Sequence, residues 1–149
     1  MKKGFIICLS LVVSFFCFAQ RPVTWSYQAN KVADNTFEIR IIATVQAPWH
    51  IYSQTTPNGG PLPTKISFQK SPLLTVEGET KELSKIIKKF EQAFGVTVYY
   101  FSPGKIEFVQ IVKVNGASKT VVAGSIEYMA CTDEECLQPV TTNFSINLN

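Results

Sequence analysis

From residue 23 onward, apolar and polar residues alternate with a period of two almost to the end of the chain. Successive side chains of an extended strand point to opposite faces, so this alternation specifies half-buried β-strands. Thr36 to Val45 (TFEIRIIATV) carries Phe37, Ile39 and Ile41 in step, with Ile42 out of step. Lys105 to Val114 (KIEFVQIVKV) is the best-patterned segment, carrying Ile106, Phe108, Val109 and Ile111. Shorter or weaker segments lie at Val23 to Gln28, Trp49 to Tyr52, Thr64 to Gln69, Leu73 to Glu77, Val96 to Phe101, Lys119 to Met129 and Val140 to Leu148. Between them come turn-forming stretches: Lys31 to Asn35, Ala47-Pro48, the Pro/Gly/Asn loop Ser53 to Pro63, Ser102-Pro103-Gly104 and Asn115-Gly116. Eight or nine strands at regular spacing predict an all-β fold, an immunoglobulin-like β-sandwich.

One segment departs from the alternation. In Lys81 to Phe94 (KELSKIIKKFEQAF), Leu83, Ile86, Ile87, Phe90 and Phe94 recur at three- and four-residue intervals, as on an amphipathic helix. The short Ile86-Ile87 run fits an edge strand followed by a loop equally well. Residues 81–94 are expected as either a short helix or a cap loop.

The first residues read as an address. Lys2 and Lys3 precede an apolar run, Gly4 to Phe18, that ends at the small residue Ala19. That is the layout of a secretory signal peptide over residues 1–19, with a single domain over 20–149 to follow. An uncleaved anchor and a lipoprotein acylated at Cys17 are the two alternatives. The second fits poorly, because Ser14-Phe15-Phe16 is bulky where lipidation signals need small residues. Removing 19 residues from 149 leaves 130, enough for one domain with a sizeable core. Losing Lys2 and Lys3 also takes the net charge from +3 to +1, which leaves no electrostatic case for nucleic acid. The expected product is an exported, periplasmic protein that is soluble once cleaved.

Most chemistries start from very little here. His50 is the single histidine, so histidine-rich metal sites and most acid–base dyads are unavailable and no metal is expected. Gly59-Gly60 lies in a Pro-rich loop with no strand-to-helix context, so it is no phosphate cradle. No Gly-x-Ser-x-Gly elbow occurs, and acidic residues are scattered apart from Asp133-Glu134-Glu135.

Cleavage would remove Cys8 and Cys17, leaving Cys131 and Cys136. Two cysteines five positions apart in an oxidising compartment are expected to pair. Closing so small a ring removes little chain entropy, about 2 kcal/mol against about 4.7 for a hundred-residue loop. A staple would gain more by joining distant strands, which favours a switchable bond, although small secreted domains do carry local structural bridges. Asp133, Glu134 and Glu135 disfavour a thiolate beside them, so reactivity would need added positive charge or a base. The same carboxylates could steer a complementary protein or simply solvate a turn.

Tyr128-Met129-Ala130-Cys131, then Cys136-Leu137-Gln138-Pro139-Val140-Thr141 and an alternating final strand, resembles the periplasmic N-terminal domain of the bacterial thiol:disulfide interchange protein DsbD. Upstream, Trp49-His50-Ile51-Tyr52 is similar to that family's aromatic strand beside the active site. Glu91-Gln92-Ala93-Phe94-Gly95 is similar to its acidic and aromatic cap loop. The resemblance implies that Cys131 and Cys136 are an exchanging pair on an immunoglobulin-like scaffold. It implies that Phe94 is a cap over the disulfide, that Glu91 is a cap-loop carboxylate, and that His50 and Tyr52 flank the sulfurs. Core packing for Phe94 and Tyr52, and an exposed strand position for His50, are the plainer readings.

No cofactor is expected, because the sulfurs carry the electrons. The spacer of four residues between the cysteines looks shorter than in the best-known members. The family's membrane-embedded cysteine transporter and thioredoxin-like Cys-x-x-Cys domain have no counterpart in these residues. The expected partners are therefore periplasmic thiol/disulfide proteins of thioredoxin-like type and a separate membrane electron donor. The order in that family implies Cys136 as the attacking thiol and Cys131 as the resolving one. An immunoglobulin-like binding module with a structural disulfide is the alternative, and a small-ligand carrier has only the aromatic content behind it.

Overall fold

Eleven strands form among the described residues of the computed structural model, which are residues 21–116 and 119–148. The expected leader, residues 1–19, lies outside them. β1 (Val23–Ala33), β2 (Thr36–Val45), β8 (Gly104–Val114) and β5 (Leu74–Glu82) make one antiparallel sheet in the order β1-β2-β8-β5. β10 (Ala130–Cys131), β3 (His50–Tyr52), β7 (Val96–Phe101) and β6 (Ile87–Glu91) make a second in that order. β11 (Val140–Leu148), β9 (Thr120–Tyr128) and β4 (Lys65–Phe68) make a third. All pairings are antiparallel. The architecture is the all-β, immunoglobulin-like sandwich read from the alternation, and no helix forms among the described residues.

The alternation places the core. β2 sends Phe37, Ile39, Ile41, Ala43 and Val45 inward, and Ile42 is out of step because it lies on the other face. β8 contributes Ile106, Phe108, Gln110 and Val112. The same core takes Val122, Ile126 and Tyr128 from β9, Phe144, Ile146 and Leu148 from β11, and Ile51 and Phe101 from the second sheet. Each large apolar side chain removed from water in this way stabilises the fold by about 2 kcal/mol.

Three segments differ from the expectation. β1 runs on to Ala33, with a bulge between Lys31 and Ala33, so the polar turn shrinks to Asp34-Asn35. Asn35 sits at φ 56°, a left-handed conformation that Asn accepts better than most residues. β5 likewise extends to Glu82 across a register shift between Glu77 and Lys81. The helix alternative for residues 81–94 is not taken up: the segment forms the end of β5, then β6, then a turn into β7. Its helical spacing did not mark a buried stripe, since Leu83, Phe90 and Phe94 are 54%, 62% and 45% exposed.

Gly124 of β9 lies between Phe68 of β4 and Phe144 of β11 in the strand register. A Cβ there would meet the Ser67 backbone carbonyl and come within 2.5 Å of the Phe144 ring. Neither can yield without separating paired strands. Gly124→Ala is expected to cost about 2 kcal/mol as an overpacked site, read as a lower urea midpoint at unchanged slope.

Among the described residues no helix is long and apolar enough to cross a membrane.

Candidate functional site

The second sheet has one face in the core and one face under the disulfide. β3 and β7 turn Ile51 and Phe101 inward, while Tyr52 and Val98 pack with Cys131 in a separate cluster flanked by Val96, Tyr100 and Met129. β10 continues this division: Ala130 lies opposite Ile51, and Cys131 lies opposite His50. Ala47-Pro48 forms a turn with a cis peptide, in which the Trp49 N–H donates to the Gln46 carbonyl (2.9 Å). That turn delivers the chain into β3.

Cys131 and Cys136 are joined by a disulfide across a tight hairpin. The Leu137 N–H donates to the Ala130 carbonyl (2.9 Å) and the Thr132 N–H to the Glu135 carbonyl (2.8 Å). The Thr132 hydroxyl oxygen accepts from the Glu134 and Glu135 N–H groups at 3.1 Å each, a side-chain-capped turn of the kind Ser and Thr favour. The two sulfur-bearing residues differ sharply in access. Cys131 is 1% exposed, whereas Cys136 is open to solvent.

Above Cys136 stands the β6–β7 hairpin. Its tip, Gln92 to Gly95, closes with the Phe94 and Gly95 N–H groups on the Glu91 carbonyl (3.1 and 2.9 Å). Gly95 takes φ 69° there, so a glycine at this position supplies the left-handed residue such a turn requires. His50, Tyr52, Glu91, Phe94, Cys136, Ala93 and the loop residues Thr132 to Glu135 line one cleft of about 180 Å³. The structure therefore brings together five of the six residues singled out in the sequence around one opening, and Cys131 lies beneath it. Core burial for Phe94 does not hold, because its side chain is half exposed at the hairpin tip. Tyr52 is packed, at 4% exposure, and still reaches the cleft.

The long Ser53 to Pro63 loop is fastened to this sheet. The Ser53 N–H donates to the Tyr99 carbonyl (2.9 Å), and the Tyr99 N–H donates to the Thr56 hydroxyl oxygen (2.9 Å). The Glu82 carboxylate accepts from the buried Ser53 hydroxyl and the Gln54 N–H, both at 2.7 Å. Gly60 lies close against Val96 and Val98, so the loop backs β7, the strand that follows the Gln92 to Gly95 turn.

Electrostatics supplies a residue the sequence did not single out. Lys89 Nζ lies 2.9 Å from Glu91 Oε1 and 3.6 Å from Asp133 Oδ1. It ties the β6–β7 hairpin to the cysteine loop and places positive charge inside the acidic lip. Its own pKa is raised by the hydrogen bond and charge of Glu91 and by Asp133. Nothing local in the sequence marks this contact, because the two loops are distant along the chain. His50 Nε2 and the Tyr52 hydroxyl share a hydrogen bond of 3.1 Å, and the His50 and Tyr100 rings are 4.8 Å apart. Burial holds the His50 pKa below its ordinary value, with Asp133 and Glu91 opposing and Lys89 assisting. Burial, then Glu91, Tyr100 and Asp133, push the Tyr52 phenol up to about 12. Among the described residues no group of three or more His, Cys, Asp or Glu side chains converges as a metal site requires.

Fold and site together define a class: an immunoglobulin-like sandwich carrying a half-buried, half-accessible disulfide at one end, beneath a hairpin. No known family profile and no curated protein matches the sequence. Solved structures do match the fold, which is that of DsbD and ScsB N-terminal domains. The reduced DsbD N-terminal domain of Neisseria meningitidis is 19% identical with a TM-score of 0.52, over 84% of this chain and 86% of that one. The N-terminal periplasmic domain of ScsB from Proteus mirabilis is 15% identical with a TM-score of 0.57. That alignment spans 87% of this chain and 47% of the ScsB chain, so this chain corresponds to about half of it. The complex between the DsbD and PilB N-terminal domains of Neisseria meningitidis matches at 14% identity and a TM-score of 0.50, over 84% and 87% of the two chains.

Proposed function

We propose that this protein is a periplasmic thiol–disulfide exchange domain, exported by residues 1–19 and folded over 20–149, that relays electrons through Cys131 and Cys136. The observation that carries this reading is the asymmetry of the disulfide: Cys131 is sealed in a small apolar cluster, and Cys136 opens into a cleft. Exchange needs one sulfur that can be attacked and a second to resolve, and this pair offers both. In this reading reduced Cys136 attacks a disulfide of a thioredoxin-like partner, and Cys131 resolves the mixed disulfide. Phe94 caps the cleft until a partner displaces the hairpin tip. A separate membrane protein returns the electrons. The capture of a second domain by a DsbD N-terminal domain in the Neisseria meningitidis complex supports a partner of this kind.

The reduction potential of the Cys131–Cys136 bond tests the proposal. Equilibration in glutathione or dithiothreitol buffers, followed by thiol trapping, is expected to give a value of roughly −120 to −270 mV, the range of exchange proteins. A value below about −300 mV marks a bond that the glutathione pool does not reduce. That outcome would replace the relay with a binding module stapled by a structural disulfide.

A further inference from the structure

A thiolate at Cys136 would face Asp133, Glu134 and Glu135 of its own loop and Glu91 of the cap turn, all of which line the same cleft. Negative charge at such short range disfavours the thiolate. One imidazole lines this cleft. His50 lies directly opposite Cys131 in the antiparallel pairing of β3 with β10, and directly opposed residues have Cβ atoms about 5 Å apart. The same imidazole lines the cleft that Cys136 opens into.

We propose that His50 is the proton acceptor and donor for the cysteine pair, taking the Cys136 proton as that sulfur attacks a partner disulfide. This rests on the exchange reading above. In the reduced protein the Cys136 S–H bond breaks and the proton passes to His50. The sulfur's electron pair bonds to one partner sulfur while the partner S–S bond breaks, and the expelled thiolate takes the proton from His50. Cys131 then passes its own proton to His50 and attacks Cys136 Sγ. The intramolecular S–S bond forms, the mixed disulfide breaks, and the second partner sulfur leaves and takes that proton. Two electrons and two protons move from the cysteine pair to the partner, which becomes a dithiol.

The groups facing His50 suit the task. Tyr52 of β3 bonds its Nε2 and Tyr100 of β7 packs on its ring. Glu91 of β6 and Asp133 of the cysteine loop favour the imidazolium, and Lys89 of β6, held by both carboxylates, opposes it. The carboxylates that disfavour a bare thiolate thus favour the protonated imidazole, so a thiolate–imidazolium pair carries a smaller electrostatic penalty than a thiolate alone. Partial burial lowers the His50 pKa and so favours the neutral imidazole, the form that accepts a proton.

Iodoacetamide alkylation of Cys136 in the reduced protein, followed from pH 5 to 10, tests this without a partner. His50→Gln is expected to slow the reaction about tenfold near pH 6.5, equivalent to one pKa unit on the thiol, and to leave the rate above pH 9.5 unchanged. Superimposed profiles, or the same loss at every pH, overturn the proposal. A second measurement needs no variant. His50 is the single histidine, so its ring signal can be titrated by NMR in the reduced and oxidised protein. Linkage requires a second step in the ring titration of the reduced protein, at the alkaline pH where Cys136 ionises, that the oxidised protein lacks, and a reduced-form titration without that step overturns the proposal. Both readouts report thiol ionisation, so they stand or fall independently of the reduction potential.

Discussion

In a Cys131→Ser variant the remaining thiol, Cys136, is expected to react with a small aromatic disulfide reagent about a hundredfold faster than Cys131 does in Cys136→Ser. Thiol–disulfide exchange requires the attacking sulfur to approach along the axis of the bond it breaks. Cys136 is exposed at the edge of the cleft, where a small reagent can reach it without displacing the hairpin tip. Cys131 is 1% exposed, lies at the end of β10, and packs against Tyr52 and Val98. Burial among apolar groups both blocks the approach and raises the thiol pKa. The same asymmetry predicts which mixed disulfide can be isolated: Cys131→Ser accumulates one with a partner, and Cys136→Ser does not. Neither single variant completes a two-electron transfer. Absorbance at the released thiolate gives both rates, and equal rates would remove the division of labour between the two sulfurs.

Gln110→Leu is expected to lower stability by about 3 kcal/mol, the cost of leaving buried polar groups without partners. Gln110 is 2% exposed in the inward row of β8, among Ile106, Phe108 and Val112. Its Nε2 donates to the Glu77 carbonyl (2.7 Å) and the Ile111 carbonyl (3.1 Å), and its Oε1 accepts from the Thr80 hydroxyl (2.8 Å). Ile111 is its neighbour in β8, while Glu77 and Thr80 belong to the stretch of β5 where the register shifts between Glu77 and Lys81. A bulge takes backbone groups out of the ladder, and Gln110 supplies the bond that the Glu77 carbonyl then needs. Leucine has nearly the same volume, so the loss reports hydrogen bonds and not a cavity. Urea unfolding should show a lower midpoint with an unchanged slope. An unchanged midpoint would mean that water reaches the bulge.

The strand pattern was legible because it is local. Alternation identified nine of the strands, left β6 as an edge strand that a helix fitted equally well, and missed β10. β10 has two residues, Ala130 and Cys131, and no pattern can register in so short a run. β6 was obscured by apolar residues at helical spacing that serve an exposed hairpin instead of a core. Gln110 read as one polar position in a good strand, since periodicity does not say that a polar side chain points inward to repair a neighbouring strand.

The cysteine pair could be read from residue types and short spacing, whereas the site roles of the Glu91 to Gly95 turn and of the Trp49 to Tyr52 strand came only from the family resemblance. Their convergence could be read from neither. His50 meets Cys131 only through the β3–β10 pairing, and Lys89 meets Asp133 only because β6 and the cysteine loop reach the same end of the sandwich. By itself the sequence determined the all-β class, most strand boundaries and the identity of the two sulfurs. Tertiary structure alone decided which sulfur is buried, which base faces it and which cation holds the hairpin to the loop. Alternation and turn chemistry act within a few residues, whereas these contacts depend on long-range register, which is set by packing across the whole core.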